Sequence, residues 1–495
     1  MRGHSSPRIA GAAVGAALVG LIASVNFLAG LGEPAKPIWD EAYYLTSTQR
    51  YLEGTAQFAS HPPLGLMLIA AGARLSGDNA GVERHALARA GHVGEGDLPA
   101  GYSFVGVRLA SALAGVAGAL AMFALMLTLV GRVLPALAFS NLYLFENAFL
   151  VQFRAAQLDS FQVAFAICAL IAFARGVRRG IRPALADDLG LGAACALAAM
   201  VKLDGAVLAL LGVLCVARRL WMRRLGGWPA ALAASARDAG LMSAAFLGVI
   251  AAVFTLQILV SPGLPEFGGA AGAKDGRFLS TAYGDYLMGR RGPSPSVVLA
   301  AARDYGRFMA ADLKATPRAD PNGSSPWLWP LGRGAITYRW ESNGARTAYL
   351  QLAGNPVGWF AGLAALAGSV GLSVLAPAGR RPPRDPVRRD LMIMILLVYA
   401  ALMGVHIWLA SARVMYLYHY FIGLVLSWAL APLAFDEACA RWRGLAALRS
   451  PALAGLTALL LASFLFYAPL TFQRPLTARQ CALRNIGQSV VACRS

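Results

Sequence analysis

Long apolar runs separated by arginine-bearing turns recur along the whole chain, and no other feature restricts its fold as much. Ile9–Leu31, Phe104–Val130 and Leu241–Val260 each reach the roughly 20 residues a helix needs to cross a bilayer core. Inside lipid, every backbone N–H and C=O must be paired within the protein, so such runs become helices. Further runs at Leu134–Val151, Phe161–Phe173, Leu189–Val201, Ala206–Val216, Val357–Leu375, Leu391–Leu409, Val414–Leu433 and Leu453–Leu470 read as spans, the short ones lengthened by their flanks. Hydrophobic residues make up 57% of 495 and charged residues 14%, well below the charge a soluble domain carries. The first run is long and lacks a clear small-residue cleavage site, so it reads as a retained span rather than a signal peptide.

The arginines give these spans a direction. Arg2 and Arg8 precede the first span, and Arg132, the Arg175–Arg182 group, the Arg218–Arg224 group, the GRRPPRDPVRRD turn and Arg441, Arg443 and Arg449 fall on every second turn thereafter. Basic residues stay on the cytoplasmic side. The expectation is therefore an all-α polytopic membrane protein with about eleven spans, its N-terminus in the cytoplasm and its C-terminus outside, in a cell membrane. The net charge of +19 would suggest nucleic acid in a soluble protein. Here the basic clusters lie between spans, where topology and anionic headgroups account for them, and no nucleic-acid partner is implied.

The chain divides into a transmembrane region over 1–260, containing a first external loop at 32–103, then a large external loop at 261–355, a second transmembrane region at 356–470 and an external tail at 471–495. The large loop reads as irregular, with an amphipathic helix at Val297–Leu313 suited to the membrane surface. Cys481 and Cys493 are able to pair if the tail is outside the cytosol. No CxxC or His-rich metal pattern is present, and no metal ligand is assigned.

Ionisable groups near span ends are costly unless paired or functional. Asp40, Glu41, His61, Arg108, Glu146, Asn147, Arg154, Asp159, Lys202, Asp204, Arg413 and His419 all fall at or near the external ends, so one shared site is the expectation. The competing reading is snorkelling or structural ion pairing. Arginine and lysine suit a phosphate, and a carboxylate suits an attacking hydroxyl. Together they fit transfer of a sugar from a polyprenyl phosphate to an acceptor hydroxyl.

WDE followed by HPPLG, between two spans, resembles the first external loop of the protein O-mannosyltransferases, which have the GT-C glycosyltransferase architecture. VGVRLAS, FENAFLVQFRAAQLDS, VKLDG, SSPWLWPLGRGAITYRW, LAGNPVGWF and RVMYLYHYFIGL resemble further family elements in the same order. The resemblance runs from about Trp39 to Leu424. It implies mannose transfer from polyprenyl phosphate mannose to Ser or Thr of acceptor proteins, with inversion and with Asp40 as base. Glu41 would orient the acceptor or a cation, or serve as a salt-bridge partner. Arg108, Arg154, Lys202, Arg413 and His419 are the phosphate candidates, with Arg154 also a candidate partner of Asp159 or Glu146, and His419 equally readable as an interior histidine. His61 with Pro62 and Pro63 reads as a turn. Glu146, Asn147 and Asp159 are structural or orienting. Trp327, Trp329 and Tyr338 read as a sugar or peptide platform or as interface anchors. Two departures stand out. The large loop is too short for the MIR repeats of eukaryotic members, and Leu66 replaces the family's lysine after HPPLG.

Two alternatives stay open at this level. A related GT-C enzyme would move another lipid-linked sugar to a glycolipid such as lipid A. A transporter would place charges along a path from both faces, whereas these gather on one. Beyond the lipid-linked donor no cofactor is assigned and a divalent-metal requirement is left open, as is whether the protein acts alone, as an oligomer or beside a translocon.

Overall fold

The computed structural model describes residues 6–264, 276–373, 385–485 and 493. Arg2, Arg380, Arg381 and Arg384, and the remaining parts of the large loop and tail, lie outside them. Among the described residues nine helices are long and apolar enough to cross a membrane: Ile9–Leu28, Val105–Val130, Asp159–Arg179, Leu203–Gly226, Trp228–Val260, Pro356–Ser373, Pro386–Ala410, Leu417–Arg441 and Arg449–Thr471. The chain is a multi-pass membrane protein. Two of the expected spans take another form. The third is broken into Val133–Leu144 and Asn147–Phe153, bent by 59°. Its second half starts after Glu146, whose side chain accepts from the Ala148 N–H and so caps it. The fifth is the 17-residue helix Leu185–Val201.

Burial orders the bundle. Leu417–Arg441 and Asp159–Arg179 are the most enclosed helices, while Ile9–Leu28 and Trp228–Val260 lie at the periphery. Asp159–Arg179 packs on Val105–Val130 and Leu185–Val201. Small residues permit close approach, as is usual between membrane helices. A Cβ on Gly192 would lie 2.1 Å from the Met242 carbonyl oxygen, so Leu185–Val201 can meet Trp228–Val260 only with glycine there.

The arginine-bearing turns converge on one end of the bundle. Arg132 and Arg449 both reach Asp436, Arg218 reaches Asp390, and Arg388 and Arg441 reach Glu437. The opposite end carries Asp40 and the elements between spans. Two helices of the first loop, Glu41–Leu52 and Pro63–Ser76, stand there. The large loop is more ordered than its composition suggests. It forms strands β1 (Ile336–Ser342) and β2 (Thr347–Leu352), and Pro475–Leu476 of the tail adds β3 in the antiparallel order β1-β2-β3. The helix expected at Val297–Leu313 is Pro295–Ala315. Its apolar face is turned to protein: Tyr305 packs edge-on against Phe58 and Phe254. Cys481 and Cys493 are joined in a disulfide.

Candidate active site

Asp40 stands at the residue where the helix Glu41–Leu52 begins, so two adjacent carboxylates leave the chain in different directions. Trp39, just before them, has φ 51°, a conformation that side-chain-bearing residues seldom adopt. Two aromatic contacts hold it there. Its ring stacks on Tyr338 of β1 at 5.0 Å and meets Tyr416 edge-on at 5.7 Å.

Glu41 turns inward and is fully buried. It pairs with Arg108 through Nε–Oε1 at 2.8 Å and Nη2–Oε2 at 2.9 Å. Its oxygens also accept the Ile38 N–H at 2.7 Å and the Ala156 N–H at 2.6 Å. Arg108 gives its remaining N–H groups to the carbonyls of Leu31, Pro34 and Lys36. A guanidinium has five N–H donors, and all five are used. Arg108 therefore has none left for a phosphate, and Glu41 is closed off from an acceptor: both fasten the loop to the bundle.

Asp40 turns outward, onto a cavity of about 750 Å³. Arg413, His61, His419, Tyr416, Tyr418 and Tyr44 line the same cavity. Burial pushes the Asp40 carboxyl up to about 6, opposed by Lys202, helped by Asp159, and opposed again by the Tyr418 hydroxyl and Arg413. The group is half-buried, facing the cavity, and no cation pairs with it directly among the described residues. Arg413 is half-buried too; among the described residues its side chain makes one hydrogen bond, Nε to the Val414 carbonyl at 3.3 Å, and has no carboxylate partner. Burial, with the charges of Lys202 and Arg413, holds His61 down at about 3, so its ring is neutral. His61 is thus a cavity wall as well as a turn; its carbonyl accepts from Tyr305, and Pro62 leads into the next helix. The Nδ1 of His419 is engaged by the Tyr416 backbone at 3.0–3.1 Å, which leaves Nε2 for a ligand.

Behind this wall runs a buried polar chain. Lys202 Nζ pairs with Asp159 Oδ1 at 2.6 Å and lies 5.0 Å over the Tyr418 ring. Gln152 donates to Asp159 Oδ2 at 2.7 Å and accepts from the Tyr338 hydroxyl. Tyr338 thus both stacks on Trp39 and reaches the Lys202 pair. Gln162 bridges the Lys202 carbonyl and Asp204, which faces His406 at 3.4 Å.

Several expected site residues lie elsewhere. Arg154 points to a second cavity and bonds the carbonyls of Ala29 and Gly30 at 2.8 and 3.0 Å, pairing with neither Asp159 nor Glu146. Glu146 is fully buried and accepts the Asn355 N–H at 2.9 Å. Asn147 donates to Thr471 at 2.7 Å. Both tie the broken span to later helices. Trp329 is buried, with Nε1 on Ser324, and is no open platform; Trp327 is 70% exposed and away from the cavity wall. Gln152, Gln162, Tyr418 and His406 are members of this network that sequence reasoning misses. The only signals for them are polarity inside apolar stretches and, for Gln152 and Tyr418, a place in the family-like motifs.

A mostly helical membrane bundle with a charged cavity at the loop-bearing end is the architecture of the GT-C glycosyltransferases. Residues 17–261 match the family described as dolichyl-phosphate-mannose-protein mannosyltransferase, and residues 307–490 match the C-terminal four-transmembrane region of protein-O-mannosyltransferase. The chain belongs to the protein O-mannosyltransferase family and is a glycosyltransferase. Among solved structures, the S. cerevisiae protein O-mannosyltransferase Pmt1-Pmt2 complex bound to the sugar donor matches with TM-score 0.74 and 16% identity, over 97% of this chain and 93% of that one. ArnT from Cupriavidus metallidurans in the apo state matches with TM-score 0.35 and 15% identity, over 85% of this chain and 76% of that one. The Archaeoglobus fulgidus oligosaccharyltransferase AglB matches with TM-score 0.45 and 11% identity, over 97% of this chain and 56% of that one. No curated protein sequence matches the chain.

Proposed function

We propose that the chain transfers mannose from polyprenyl phosphate mannose to Ser or Thr hydroxyls of acceptor proteins, with Asp40 as general base. The observation that carries this reading is one cavity lined by Asp40, a carboxylate without a cation partner among the described residues, and Arg413, a guanidinium without a carboxylate partner among them. Asp40 takes the proton of the acceptor hydroxyl as its oxygen attacks C1 of the mannose. The bond from C1 to the phosphate oxygen breaks on the opposite face, the anomeric centre inverts, and the lipid phosphate departs as an anion. Arg413 receives that anion, with the neutral His61 ring and His419 Nε2 as further donors. Lys202 adds its charge from behind Tyr418. Charged donors preorganised in a partly desolvated site stabilise such a leaving group without reorganising.

The same reading puts the cavity on the non-cytoplasmic face. It lies at the end away from the arginine turns, and the tail at that end carries a disulfide, a bond favoured in oxidising compartments. The test is Asp40→Asn, which keeps size and removes the base. Purified variant, given labelled polyprenyl phosphate mannose and an acceptor peptide, should lose about 100- to 10,000-fold in rate. Near wild-type transfer would overturn the assignment.

A further inference from the structure

Beside the catalytic loop lies a second cavity of about 550 Å³, and none of the residues lining it enters the proposed reaction. Its lining joins the end of the first span, the end of the broken span, the hairpin and the end of the last span. Two guanidiniums flank one ring in it: Arg154 lies 4.9 Å from the Phe472 centroid and Arg474 5.9 Å. Neither has a carboxylate partner among the described residues. Gln473, just before Arg474, has its Nε2 buried without an acceptor, and its backbone holds φ 48°. Arg154 spends Nη2 on the Ala29 and Gly30 carbonyls and reaches the Asn26 carbonyl at 3.5 Å with Nη1, whereas the Gln473 amide and the Arg474 side chain have no acceptor among the described residues. Of the two carboxylates present, Glu341 is already engaged by Lys36 at 3.1 Å, and Glu33 is exposed at the rim.

The lower wall is of another kind. Val25, Leu150 and Val151 belong to membrane helices, and Val25 is 60% exposed on the flank of the first span. The cavity therefore has a cationic head end at the level of the loops and an apolar side among the helices. That order fits an amphiphile whose anionic head is level with the helix ends.

We infer that this cavity is a headgroup site for an anionic membrane phospholipid, its phosphate held by Arg154, Arg474 and the Gln473 amide. Arg154 also clamps the end of the first span, so the ligand and the helix end share one guanidinium. Ile38 lines the same cavity and its N–H holds Glu41, which sets the bound headgroup two residues from Asp40 in the chain. The site is separate from the donor cavity, and the inference does not depend on the sugar or the acceptor.

Arg474 is the residue to change, because its side chain is exposed and makes no hydrogen bond among the described residues. Full-length protein in mild detergent is titrated with phosphatidylglycerol and its lipid-bound fraction is read by native mass spectrometry. Wild type should retain one lipid. Arg474→Glu should weaken retention about tenfold or more, the loss of one charge-assisted contact, and Arg474→Lys should restore most of it. Excess inorganic phosphate should leave the lipid in place. Equal retention by wild type and Arg474→Glu would overturn the inference. Displacement by phosphate alone, or by polyprenyl phosphate mannose at matched concentration, would overturn it as well, giving the cavity to a free anion or to the donor.

Discussion

The rate of transfer should titrate with Asp40, and the structure gives the direction of every change that moves it. With the carboxyl pushed up to about 6 by burial, Asp40 is half-ionised near that pH in the free enzyme. Its ionised fraction is about nine-tenths at pH 7 and about one-tenth at pH 5, so kcat/KM should fall close to tenfold between them. The donor is a phosphodiester and keeps its single charge across this range, so the limb belongs to the enzyme. Bound donor brings an anion beside Asp40, which raises its pKa further, and the limb in kcat should lie above that in kcat/KM. Lys202 and Arg413 both pull the Asp40 pKa down, Lys202 more strongly. Lys202→Met and Arg413→Gln should each move the limb to higher pH, Lys202→Met further. Unfolding would not mimic the result through this group. A carboxyl raised from about 4 to about 6 binds more protons folded than unfolded in that window, so its contribution to stability falls as pH rises, not as pH drops. The assay is initial rate of mannosyl transfer to a peptide from about pH 5 to about pH 7.5 in detergent, with wild type and both variants. A flat kcat/KM profile, or a limb unmoved by either substitution, would refute the reasoning.

Glu41→Gln should leave a buried Arg108 without its counter-charge and cost about 3–5 kcal/mol, read as a lower melting temperature of the purified protein; stability equal to wild type would return Glu41 and Arg108 to the set of chemical groups. Arg413→Ala should raise the donor KM by roughly tenfold or more while thermal stability stays within about 0.5 kcal/mol, because no ion pair among the described residues is lost. Lys202→Ala should differ in kind, weakening donor use and also lowering thermal stability, since Asp159 is left buried and unpaired.

The spans were legible because a membrane helix must satisfy its backbone locally and display apolar side chains, and both demands are written in consecutive residues. The broken third span was not, since its break depends on Glu146 capping one half and accepting Asn355 from 209 residues away. The hairpin was hidden for a related reason. β1 has a register shift between Thr337 and Arg339, which spoils the two-residue alternation, and β3 comes from the far end of the chain. In the site, a local motif singles out Asp40, which faces the cavity, but the surroundings of the arginines could not be read from sequence. Arg108 and Arg413 both sit near span ends; what separates them is that Glu41, 67 residues away, occupies the first, while the second meets no carboxylate among the described residues. Gln152 carries no charge to mark it, yet it is the link between Tyr338 and Asp159.

The adjacent acids also have an order that composition does not express. At the start of a helix, consecutive side chains point about 100° apart, so one position faces the cavity and the next faces the bundle. The double substitution Asp40→Glu with Glu41→Asp would keep charge, summed volume and count. It would nonetheless put a longer arm into the cavity, where the proposed base stands, and a shorter one where a guanidinium must be met. The dipeptide is therefore a directed word, with the proposed base as its first letter and anchorage as its second.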